Sequence, residues 1–139
     1  MWKAQLYQES RLDAEAVSPT GARGLAQFMP ATWVDVAREL GITGTAHDDV
    51  AIDAGAYYMS KLRRVWRRDR TALERNTMAQ ASYNAGVGNI LKAQELCGGA
   101  RLWPAVRECL HFATGRANAE ETITYVARIE RWWREMELS

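Results

Sequence analysis

An all-α fold, with at most a minimal β-hairpin, is predicted by three observations. Apolar residues recur at helical spacing through most of the chain. Glycine and proline gather between those stretches rather than inside them. No segment reads as a convincing strand. The 139 residues fit one domain, 1–139, and are enough to bury one sizeable core. An apolar content of 47% with 25% charged residues is that of a globular chain and excludes a disordered one. A net charge of +1 gives no overall attraction to nucleic acid or to a membrane surface. No apolar run approaches the roughly 18 residues that span a bilayer, so membrane insertion is not expected.

The elements follow in order. WKAQLYQESRL contains no glycine or proline and predicts a helix from Trp2 to Leu12. Residues 13–30 are small and polar, with Pro19, Gly21 and Gly24, and read as an ordered loop whose tail of Leu25, Phe28 and Met29 anchors it to the core. Pro30 suits a first-turn position, and the helix it opens runs to a stop at Gly41. Asp48 or Asp49 caps a long helix over residues 50–68, with Ile52, Ala56, Met59, Leu62 and Trp66 as its apolar stripe. Thr71 or Thr77 begins a small-residue helix broken by Gly86 and Gly88. VGNILKAQELC is a short helix, LWPAVRECLHF is helical from Pro104, and a last helix covers EETITYVARIERWWREME. Its stripe is Thr122, Val126, Ile129, Trp133 and Met136. No repeat, linker or low-complexity segment stands out.

Chemistry-bearing residues are few. Trp2, Leu6 and Glu9 share one helical face. A carboxylate on an apolar stripe is costly unless it is paired or protonated, and burial of this kind raises a Glu pKa. The plainer alternatives are a frayed surface position or an ion pair with Arg11. Cys97 and Cys109 lie twelve positions apart and do not form a metal pattern. They read first as two small buried apolar residues and second as a disulfide. His47 and His111 read as a loop and a helix-surface residue, and no metal or cofactor is expected. Arg63, Arg64, Arg67, Arg68 and Arg70 cluster at a helix C-terminus, where cations complement the dipole. A solvated helix end is the first reading, and contact with an anionic polymer the second.

Four segments then line up in order: Glu9-Ser10, GARGLAQFMPATW from Gly21 to Trp33, ASYNAG from Ala81 to Gly86, and ETITYV from Glu121 to Val126. Together with DAGAYYMSKL between the second and third, they resemble the soluble lytic transglycosylase domain of the lysozyme superfamily. The resemblance extends from Gln8 to about Ile129. It implies a compact helical domain with a glycan groove, acting on the MurNAc–GlcNAc strands of peptidoglycan. Glu9 stands at the position of the family's single catalytic acid/base. The resemblance implies that it protonates the glycosidic oxygen and then acts as base toward the C6 hydroxyl of the same MurNAc, giving a 1,6-anhydro product. Ordinary glycosidases use two carboxylates, but substrate-assisted routes are recognised exceptions. Asp13 and Glu15 lie in the loop and read as solvated.

The same resemblance makes Ser18, Gln27, Met29, Tyr83, Asn84, Glu121 and Tyr125 substrate-binding residues. Ser18 is placed to hydrogen-bond Glu9 or an N-acetyl group, with a local turn bond as the alternative. Gln27 offers donors and acceptors to a sugar, and Met29 an apolar wall. Glu121 and Tyr125 share a helical face. SYNAG departs from the commoner AYNAG of the family. Lys3, Gln5, Gln8 and Glu9 interrupt any secretory-signal core. The expectation is therefore either an excised domain or a stand-alone phage endolysin, monomeric, made in the cytoplasm and released through a holin to act on the wall in the periplasm, with a virion-associated or secretion-system wall-opening enzyme as the next alternative. Two rival functions accompany this reading: a hydrolytic muramidase of the goose or phage type, and a non-catalytic glycan-binding module.

Overall fold

Helix α1, Trp2–Ser10, stops two residues before the expected Leu12. Arg11 and Leu12 are both left-handed, with φ of 55° and 62°, and the Arg11 N–H donates to the Tyr7 carbonyl at 2.8 Å. This end places Glu9 in the last turn of a short helix. The coordinates are a computed structural model and describe residues 1–138.

Helix α2, Pro30–Leu40, starts on its proline and ends at left-handed Gly41, as the sequence predicts. Helix α3, Val50–Val65, ends before the expected Arg68. Its stripe is also only half right. Met59, Leu62 and Trp66 are buried, but Ile52 is exposed and Ala51, Ala54 and Gly55 are buried instead. The reason is a close approach: a Cβ on Gly55 would lie 2.5 Å from the Trp2 ring. The Trp2 indole N–H also donates to the Ile52 carbonyl at 3.1 Å. Small residues, not branched ones, let that ring sit on the helix.

Helix α4, Ala72–Ala85, is capped by Thr71 with Glu74 completing a reciprocal box, so Thr77 lies inside the helix. Helix α5 is Val87–Leu96. The single helix expected from Pro104 is divided into α6 (Trp103–Val106), a 3₁₀ turn (Arg107–Cys109) and α7 (Leu110–Thr114). The turn carries Cys109 to within 5.6 Å, Cα to Cα, of Cys97, and the two form a disulfide. That corrects the first reading of the pair as buried free thiols, since both are half-exposed and bonded. Helix α8, Arg116–Leu138, begins at Arg116 rather than Glu120.

The chain gathers into two compact units. The first comprises 1–58 and 129–139, the second 59–128, so their boundaries fall inside α3 and α8. Leu6, Leu25, Ala26, Phe28, Val36, Ala46 and Ala54 form the core of the first unit. The second is centred on fully buried Trp66, Met78, Ile90, Val106 and Leu110.

The loop before α2 is ordered by its own backbone. Arg23 bridges to Val17 on one side and Phe28 on the other, the minimal β element the sequence allows for. Gly24 sits against the Ala46 carbonyl, where a Cβ would come within 1.8 Å, and its φ of 79° is one only glycine adopts freely. His47 Nδ1 meets the Ala14 carbonyl at 2.8 Å and ties the same two loops together.

Candidate active site

The end of α1 is fixed from below. Ser10, next to Glu9, is buried, and its hydroxyl faces two backbone carbonyls, Leu6 at 3.2 Å and Leu25 at 2.9 Å. A serine here joins the last turn of the helix to the glycine-containing loop. Glu9 itself is half-buried, between full desolvation and free solvation. Arg11, the neighbouring cation, stands over two aromatic rings. Its guanidinium stands 4.6 Å above the Tyr7 ring and 4.7 Å above the Trp132 ring. Trp132 also meets Tyr7 edge to face at 5.0 Å and its indole N–H donates to the Gln8 side-chain Oε1 at 3.0 Å. Sequence reading missed this cluster, since tryptophan 132 is more than a hundred residues from the helix it braces.

The other carboxylates near Glu9 in sequence are both exposed. Asp13 accepts the Glu15 N–H at 2.9 Å and so shapes a turn.

Gln27 adopts φ 49° and its amide nitrogen donates to the carbonyls of Gly24 at 2.9 Å and Ala16 at 3.2 Å. Its donors hold the loop, which leaves the side-chain carbonyl oxygen as the atom suited to a ligand. Ser18 is half-buried. Its hydroxyl accepts the Ala22 N–H at 2.9 Å and meets the Thr20 hydroxyl at 3.1 Å, the local turn alternative. Met29 is 44% exposed at the N-cap of α2, an apolar surface open to contact.

In the second unit, Tyr83 and Asn84 occupy the last turn of α4, both half-buried. Asn84 Oδ1 accepts from the Thr122 hydroxyl at 2.6 Å, and the same hydroxyl oxygen lies 3.1 Å from Asn118 O, a second acceptor within reach of its one proton. Asn84, Asn89, Asn118, Glu121 and Thr122 line a polar cavity of about 400 Å³. Glu121 is exposed at its wall, and Tyr125, one turn on, is buried. The two share a helix but not an environment. Buried Ser82 gives a physical reason for the departure at SYNAG. Its hydroxyl accepts the Trp66 indole N–H at 2.9 Å and donates to the Met78 carbonyl at 2.8 Å. An alanine there would leave a buried indole donor without its acceptor. Among the described residues, no group of three or more His, Cys, Asp or Glu is arranged to hold a metal ion.

A chain of helices with only isolated β-bridges is an all-α, lysozyme-like arrangement. Residues 2–103 match the family model described as the transglycosylase SLT domain, and the chain belongs to that family. It is 32% identical over 143 residues to a membrane-bound lytic murein transglycosylase F of Desulfosudis oleivorans, covering 93% of this chain and 31% of that protein. The corresponding protein of Maricaulis maris is 32% identical, with 93% and 30% covered. The chain thus spans about a third of the length of these curated relatives. Among solved structures it superposes on the 70 kDa soluble lytic transglycosylase SLT70 of Escherichia coli with a TM-score of 0.66 and 26% identity, over 94% of this chain and 21% of that one. The lytic transglycosylase Slt of Pseudomonas aeruginosa gives 0.65 and 27%, over 96% and 22%. That protein was solved as an inactive mutant with one glutamate changed to glutamine. Among the described residues, no helix is long and apolar enough to cross a membrane.

Proposed function

We propose that residues 1–139 act as one catalytic domain that cleaves the MurNAc-β-1,4-GlcNAc bond of peptidoglycan as a lytic transglycosylase, with Glu9 as the sole general acid and base. The observation that carries this reading is the half-buried Glu9 on a helix end that Ser10 ties to two carbonyls, with the nearby Asp13 and Glu15 both exposed. An acid so held keeps its proton donor in place without a second carboxylate. The kinship to proteins named lytic murein transglycosylases supports the substrate. The inactivity of the Pseudomonas aeruginosa protein after a glutamate-to-glutamine change supports chemistry that depends on a carboxyl proton.

The proposed reaction runs in two proton transfers. Glu9 gives its proton to the glycosidic oxygen as the bond from MurNAc C1 breaks, while the 2-acetamido group shares the positive charge. The Glu9 carboxylate then takes the proton of the C6 hydroxyl as that oxygen closes on C1. Glu9 ends protonated, as it began, and no water is consumed. Gln27 would accept from a sugar hydroxyl or acetamide N–H through its side-chain oxygen, and Met29 would meet an apolar sugar face. Ser18 acts by holding the loop turn. Tyr83, Asn84 and Glu121 are proposed as polar contacts to the glycan, and buried Tyr125 as a residue that positions them.

Mass analysis of fragments released from purified cell walls tests the reading. The expected fragments end in 1,6-anhydro-MurNAc, lighter by one water than reducing-end products. Reducing ends would establish the hydrolytic muramidase instead. Binding to walls without release of any fragment would leave only the non-catalytic glycan module.

A further inference from the structure

A second site lies at the junction of α3 and α4. Ser60, Arg63, Arg64 and Arg67 fall on one face of α3 or just past its end, and Ala72 and Arg75 belong to the first turn of α4. These six residues line a groove of about 330 Å³. Four arginines therefore border one small volume. Arg63 and Arg64 are adjacent on α3 and Arg67 lies two residues past its end, so like charges gather at one place and repel. The groove needs a reason to keep them together.

Neighbouring acids do not supply one. Asp69 pairs with Arg101 at 3.8 Å, and Glu74 accepts the Thr71 N–H in the capping box. Arg63 donates to the amide oxygen of Asn76 at 3.3 Å, a neutral partner that orients its fork. The second, independent observation is Arg75. Its Nε is buried and has no hydrogen-bond partner among the described residues. A buried guanidinium N–H without an acceptor is costly, and a small turn of the Arg75 side chain toward a ligand oxygen in the groove would remove that cost. The N-terminal turn of α4 adds the positive end of a helix dipole at the same wall.

We propose that this groove binds a phosphate group. A monocarboxylate has two oxygens and one charge and satisfies one fork. A phosphate carries more charge and offers several oxygens to several forks at once. The groove has no aromatic lining on which bases could stack, which separates it from single-stranded nucleic-acid sites. The phosphate is either free in solution or the headgroup of an anionic lipid. This inference is independent of the glycan-cleaving role and uses none of its residues.

The test is a titration of isotopically labelled protein with inorganic phosphate, followed by NMR, with acetate at matched ionic strength as control. Phosphate should shift the signals of Ser60, Arg64, Arg67, Ala72 and Arg75, and acetate should not. The double variant Arg64→Gln/Arg67→Gln changes two exposed side chains, so the fold should persist, as circular dichroism would verify. It should weaken phosphate binding by about tenfold or more, as expected for two lost charge-assisted contacts. Lysine at both positions should restore part of the affinity. A parallel arm measures adsorption to phosphatidylglycerol and phosphatidylcholine vesicles. Adsorption to the first alone, lost in the glutamine variant, identifies a lipid headgroup as the source. Phosphate binding without adsorption identifies a soluble phosphate. Equal response to phosphate and acetate, or equal affinity in the glutamine variant, would overturn the proposal, as would absence of both phosphate binding and adsorption.

Discussion

The two units hold their polar side chains in different ways. In the first, the irregular loops are held by side chains that grip backbone. Ser10 faces the Leu6 and Leu25 carbonyls, Gln27 donates to Ala16 and Gly24, and His47 meets Ala14. In the second, neighbouring elements are joined by side chains that grip one another: Trp66 with Ser82, Thr122 with Asn84, and Arg63 with Asn76. A disulfide adds a covalent tie there. The difference follows from the segments being held. An irregular loop has many backbone carbonyls that no helix ladder satisfies, so its order depends on side chains that reach them. Packed helices have satisfied their backbones already, and only their side chains remain to be matched. A single substitution in the first unit should therefore loosen a long segment. In the second unit the damage should stay local.

The largest expected effect isolates chemistry from this contrast. Glu9→Gln should lower wall-lytic activity by up to roughly 10⁴-fold, the upper range for a lost general acid, with an unchanged melting curve. A variant that still clears purified walls at the normal rate would remove Glu9 from its role. Next is Gly24→Ala, whose Cβ would meet the Ala46 carbonyl at 1.8 Å. Backbone cannot yield as a flexible side chain does, so denaturant unfolding should show a loss of about 4 kcal/mol or more. A loss under that of an ordinary surface change would mean the two loops are not locked together.

Removing the disulfide by Cys97→Ala/Cys109→Ala should cost about 3 kcal/mol, the value for a loop of similar length. Calorimetry should find the loss, while a wild-type midpoint under strong reductant would contradict it. Ser10→Ala should cost about 2 kcal/mol, since a buried hydroxyl that engages two carbonyls is removed. It should also reduce activity more than its stability loss explains, because Glu9 would no longer be held. Equal activity at temperatures well below unfolding would break the proposed link between anchor and acid. The smallest effect is expected for Thr122→Val, about 1 kcal/mol, from the lost bond to Asn84. Hydrogen exchange should rise only near α4 and α8 within the second unit. A rise spread over the first unit as well would erase the contrast.

Much of this was legible in the chain. Pro30 and Gly41 mark α2 because one residue presets φ and the other tolerates the left-handed exit. Thr71 with Glu74 is a capping box readable from letters alone. The transglycosylase family was also legible, from four short segments in order, and Glu9 was the residue they singled out. Less legible was the α3 stripe, where periodicity favoured Ile52 and Ala56 but the Trp2 ring required small residues. Also hidden was the end of α1, since nothing in Arg11 or Leu12 favours left-handed backbone. The serine in SYNAG looked like an incidental departure, and only its neighbour Trp66 gives it a reason.

By itself the sequence determined the helices, their punctuation and the family, because spacing, caps and glycine act within a few residues of where they stand. Tertiary structure alone decided that Cys97 meets Cys109, that Arg11 lies on Trp132, and that four arginines share one groove. Those outcomes depend on which distant atoms arrive within a few ångströms of each other. Local pattern leaves that open, because contact energies are set by the partner that packing brings.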